Sequence, residues 1–121
     1  MILNEQEAHD QACKLALPEL VKSLEADFGR RLVALIAGVS DAKAVAEWSQ
    51  DGGRKPRQPA ELRLRTAYRV VYMLKQVESI ETVRAWLLGM NPDLDDQAPA
   101  LVLRERPDEV IRAARDFVAY G

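Results

Sequence analysis

The stretch Leu32-Val-Ala-Leu-Ile-Ala-Gly-Val-Ser-Asp-Ala-Lys-Ala-Val-Ala-Glu-Trp48 decides how this sequence reads. Leu32, Leu35 and Ile36 recur at helical spacing over about 30–37. Gly38-Val39-Ser40 then breaks the pattern. Ser40 or Asp41 can cap a second helix from Ala42 to about Ser49, because a side-chain oxygen there accepts an orphan backbone N–H. Val45 and Trp48, three apart, anchor that helix to a core. Two short helices joined by a tight break fit a helix-turn-helix, whose second helix enters the DNA major groove. Ser40, Asp41, Lys43, Ala44 and Glu47 are then the residues expected to face DNA. Lysine can donate to guanine or neutralise a phosphate, whereas Glu47 suits only a donor such as cytosine N4.

Helical periodicity recurs through the rest of the chain. Residues 5–16 carry Ala8, Ala12 and Leu15 on one side. Pro18 can open a second helix with Leu20, Leu24 and Phe28 inward and Gly29 as its stop. After Trp48, residues 50–59 hold two glycines and two prolines and are expected to be loop. A long helix over about 60–77 presents Leu64, Ala67, Tyr68, Val71 and Leu74, with Arg65 and Arg69 on the far side. Ser79 caps a helix carrying Ile80, Val83 and Leu87, which ends before Asn91-Pro92. Residues 91–106 read as loop with a helical turn near Pro99. Pro107 opens the last helix, with Val110, Ala114 and Phe117 inward. The expectation is an all-α fold in three parts: N-terminal helices (1–29), a helix-turn-helix region (30–78) and a small C-terminal helical module (79–121).

A net charge of −2 conceals an uneven distribution. Residues 1–29 carry net −4, residues 30–75 net +6 and residues 76–121 net −4. A basic middle between acidic ends points to a polyanion-facing segment. Arg54, Lys55 and Arg57 stand on a loop with no apolar duty, directly after the proposed recognition helix, and Arg63, Arg65 and Arg69 continue the basic run. Several of these are expected to contact phosphates.

Other function classes find little support. No long uncharged apolar run suggests a membrane span, and the acidic N-terminus is not that of a signal peptide. One cysteine excludes an internal disulfide and a cysteine-built metal centre, and fits a reducing, cytoplasmic setting. His9 and Cys13 lie one helical turn apart, but no third metal ligand of matching spacing accompanies them. Asp93, Asp95 and Asp96 lack the glycine and later glutamate of a calcium loop. No Gly-rich phosphate loop or catalytic nucleophile–base set is present, so neither an enzyme nor a cofactor is expected.

Two stretches resemble the Xre/MbcA/ParS antitoxin family. Ala37–Trp48, the Gly- and Pro-containing loop and the Arg-rich helix ending Val70-Val-Tyr-Met-Leu74 resemble its DNA-binding half. Ala85-Trp-Leu-Leu-Gly-Met-Asn-Pro-Asp-Leu94, Ala98–Arg104 and Val110–Phe117 resemble its C-terminal toxin-binding module. Where the family often has a Gly pair after the leucine of the connector, this chain has Asp95-Asp96. The resemblance implies an antitoxin that represses its own operon, as a homodimer on a palindromic operator. It further implies a partner toxin of the RES type, which depletes NAD and whose active site the antitoxin occludes. Asp108, Glu109, Arg112, Asp116, Phe117, Tyr120 and the carboxylate of Gly121 are the residues so implied at the toxin interface. A stand-alone transcription regulator and an interaction module without DNA binding are the competing readings.

Overall fold

The structure, a computed structural model, describes residues 5–120. The fold is all-α. In chain order the helices are α1 (Glu5–Lys14), α2 (Leu17–Phe28), α3 (Arg30–Ala37), α4 (Ala42–Trp48), α5 (Gln58–Lys75), α6 (Ile80–Leu88), α7 (Pro99–Val102) and α8 (Pro107–Tyr120), with a single 3-10 turn at Pro92–Leu94 before α7. Among the described residues, none of these helices is long and apolar enough to cross a membrane.

The longest helix, α5, is the axis of the molecule; α1, α2, α3, α6 and α8 all pack on it. Of the expected stripe, Leu64, Ala67, Val71 and Leu74 are buried and Tyr68 is half-buried, but Val70 and Met73 are buried as well. That second row widens the apolar arc enough for neighbours to cover α5 from several sides. The helix starts at Gln58, earlier than expected, because Pro59 occupies its first turn, where a missing N–H costs nothing. On α1 the buried residues are Ala8 and Ala12, small enough to bring that helix close to α5. The far side of α5, expected to face solvent, therefore faces α1 instead.

Local chemistry sets the break between α3 and α4. Gly38 adopts a left-handed φ of +81°, its N–H bonds to Leu35 O, and the N–H of Val39 bonds to Ala34 O. This is a Schellman stop. Of the two possible caps for α4, Asp41 serves: its Oδ1 accepts from Lys43 N at 2.8 Å. Such a cap contributes about 1 kcal/mol. At the other end of the chain, Ser79 caps α6 and Asn91 caps the 3-10 turn in the same manner. Asp95 and Asp96 then follow at φ +56° and +62°.

A single apolar cluster joins Ala8 of α1, Val45 and Trp48 of α4, the inner faces of α5 and Val110 and Ala114 of α8. The three stretches distinguished in the sequence thus share one core.

Candidate nucleic-acid interface

Helix α4 turns Val45 and Trp48 into the core and leaves Ser40, Asp41, Lys43 and Glu47 exposed. Ala44 departs from expectation. It is only 7% exposed, because it belongs to the same inward arc as Val45, and it forms part of a groove wall rather than the outward face.

That groove, about 470 Å³, runs between the α3–α4 turn and the loop ahead of α5. Arg54, Lys55 and Arg57 line it opposite Ser40 and Asp41, and all three cations are exposed. Arg54 Nη1 lies 3.8 Å from Glu47 Oε2, with both side chains largely in water, so the contact is weak. It nonetheless brings a cation beside the carboxylate that would otherwise repel a phosphate.

Most of the rest of the basic run is tied to other parts of the protein, although Arg31 stays exposed. Arg65, expected at the DNA face, donates through Nη1 to Ala12 O and Leu15 O, each at 2.9 Å, and through Nε to Glu61 at 2.9 Å. It thereby satisfies carbonyls at the end of α1, which a helix C-terminus leaves without intrahelical partners. Arg69, also expected there, is half-buried with Nη1 3.3 Å from His9 Nδ1. Both expectations are corrected on the same ground: α1 covers the side of α5 from which these residues project. Arg63 donates to Ala37 O at 3.0 Å and Arg104 O at 3.3 Å, while Arg104 donates to Leu35 O at 2.8 Å. Arg30 and Lys75 pair with Glu25 and Asp27. The cationic surface beside α4 is therefore Lys43 and the loop trio, a smaller patch than the residue count suggests.

At the opposite end, Trp86 and Met90 of the α6 segment, Asn91–Asp93 and Asp116, Phe117 and Tyr120 of α8 enclose a shallow groove of about 570 Å³. Trp86 and Phe117 pack with ring centroids 6.2 Å apart. Met90 and Tyr120, both lining this groove, are 81% and 89% exposed. Asp108, Arg112, Asp116 and Tyr120 recur every four residues along one side of α8. Glu109 pairs with Arg106 at 3.0 Å. Gly121 lies outside the described residues. Trp86 and Met90 were missing from the expected interface. Their spacing of four, off the Ile80–Val83–Leu87 stripe, is the sequence signal for them.

His9 Nε2 and Cys13 Sγ are 3.6 Å apart, as their spacing implies. Among the described residues no cluster of three or more potential metal ligands forms around them or elsewhere.

No family model, curated protein or solved structure matches this chain.

Proposed function

We propose that this protein is the antitoxin of a type II toxin–antitoxin pair: a DNA-binding repressor whose C-terminal module masks its toxin. The observation that carries the DNA-binding half is the groove beside α4. Three exposed cations, Arg54, Lys55 and Arg57, flank a short helix whose polar residues point outward and whose Trp48 is locked in the core. Such an arrangement offers phosphate neutralisation next to a base-reading helix.

The toxin-masking half rests on the resemblance and is supported by two observations. Asp95 and Asp96 hold left-handed φ values, the conformation glycine adopts most easily and aspartate tolerates better than most residues. Asp95 and Asp96 depart from the Gly pair often found in the Xre/MbcA/ParS family, but their backbone is one that a Gly pair could also adopt. The groove of Trp86, Met90, Phe117 and Tyr120, edged by Asp93 and Asp116, also presents apolar anchors with acidic neighbours. Such a surface complements a cationic cleft like that of a RES-type, NAD-depleting toxin.

Mobility shift of the DNA upstream of the gene at two salt concentrations tests the first half. With three phosphate contacts per protomer, the affinity is expected to fall with a log-log slope of about −3 for each protomer bound, so about −5 for a dimer on its operator. Arg57→Ala is expected to reduce that slope by about 1 per protomer. Salt-independent or undetectable binding would remove the repressor role. Co-expression with a neighbouring RES-type toxin tests the second half; failure to restore growth removes the antitoxin role and leaves a stand-alone regulator. A half-site pattern in footprinting is expected if a dimer reads the operator.

A second reading, an interaction module without DNA binding, draws on Asp41 and Glu47, which place two carboxylates on the exposed side of α4. Binding to duplex regardless of salt and sequence tests would be absent in that case.

A further inference from the structure

Trp48 is 4% exposed, and its indole N–H is buried without an acceptor. Native structures satisfy nearly all buried donors, because an orphaned one loses its water and gains nothing. A phenylalanine would fill much of the same core position with no donor to orphan. Trp48 lines two adjoining cavities beside the 50–57 loop, and Arg54 and Lys55 line both. The loop lies flush against α4: a Cβ at Gly53 would come 2.5 Å from Glu47 O. That close approach holds the two cations beside the tryptophan.

We propose that the Trp48 N–H, together with Arg54 and Lys55, forms a site for one phosphate group. Two cations and a buried neutral donor suit an anion with several acceptor oxygens. Arg54 is held only by its weak approach to Glu47, so it is free to swing onto the anion. The proposal rests on the proposed DNA-binding role for the source of the phosphate, a backbone phosphodiester, but not for the existence of the site.

The test uses the full chain labelled with ¹⁵N. Its two tryptophans, Trp48 and Trp86, give two indole N–H signals, and the spectrum of Trp86→Phe identifies which is which. Inorganic phosphate, titrated against chloride at constant ionic strength, is expected to move the Trp48 proton downfield. A short duplex at low salt is expected to do the same. Trp48→Phe is expected to weaken duplex binding about ten-fold, the usual worth of a hydrogen bond to a charged group. Should that variant fail to fold, the NMR titrations decide alone. If duplex binds while the Trp48 signal stays still, the phosphate site is overturned and the DNA-binding reading survives. If phosphate moves the signal but no duplex binds, the site stands and the DNA-binding reading fails. If neither binds, both fall.

Discussion

Arg65 holds two carbonyls at the end of α1 through a single Nη1 and a carboxylate through Nε, with 23% of its side chain exposed. Removing it leaves backbone acceptors at a helix end without partners. Arg65→Met is therefore expected to lower unfolding free energy by about 1–3 kcal/mol. Urea denaturation reads the change, and affinity for duplex is expected to stay the same. A loss of DNA binding with unchanged stability would return Arg65 to the DNA face. Tyr72 offers a residue-scale test by pH. Its hydroxyl donates to Glu7 at 2.7 Å, and that hydrogen bond, then burial, then the negative charge of Glu7, raise its pKa above the ordinary 10.0. The folded state thus binds this proton more tightly than the unfolded chain. The resulting stability is present below pH 10.0 and is lost as pH rises through the raised value. Tyr72→Phe is expected to flatten the alkaline fall in Tm; an unchanged fall would assign it to other groups. Residue identity alone conceals such roles. Arg54 and Arg65 carry the same charge, and only the position of α1 makes one a surface cation and the other a clamp.

Helix boundaries were more legible, because caps and stops are local chemistry. Gly29, Gly38, Asp41, Ser79 and Pro107 mark helix ends in the sequence, and the structure places ends at all five. The α3–α4 break permits a sharp test. Gly38 needs its left-handed φ, and a Cβ there would stand 2.7 Å from Arg63 Nη1. Gly38→Ala is expected to cost more than about 1 kcal/mol from backbone strain alone. Displacement of Arg63 adds to that cost. Thermal unfolding measures the sum; a neutral outcome would mean that the turn relaxes without it. What periodicity missed was the full breadth of α5. One apolar stripe is visible at a time, whereas Val70 and Met73 gain meaning only when a second neighbour is known to cover them. The C-terminal groove escaped for a similar reason, since Trp86 and Phe117 come from separate helices.

Across the whole molecule, one cluster runs from α1 to α8, so the chain is expected to unfold as a unit. Trp48 in α4 and Trp86 in α6 report on different ends of it. Single-tryptophan variants, Trp86→Phe and Trp48→Phe, followed by urea denaturation against far-UV circular dichroism, are expected to give coincident transitions. Separated midpoints would split the molecule near the α5–α6 junction. The all-α class was readable from the sequence, as helical periodicity pervades it. The number of independent parts was not, because charge blocks along a chain say nothing about which helices share a core.

The arginine pair at the end of α3 carries a mechanical corollary. Arg104, just beyond α7, supplies a donor to Leu35 O, and Arg63 grips both Ala37 O and Arg104 O. Displacing the 91–106 connector would take the Arg104 donor from Leu35 O, at the pivot from which α4 departs, while Arg63 keeps its hold on Ala37 O. In the proposed reading, a partner that moves the connector and a nucleic acid held at α4 would each feel the other through that one contact, and by linkage to the same extent.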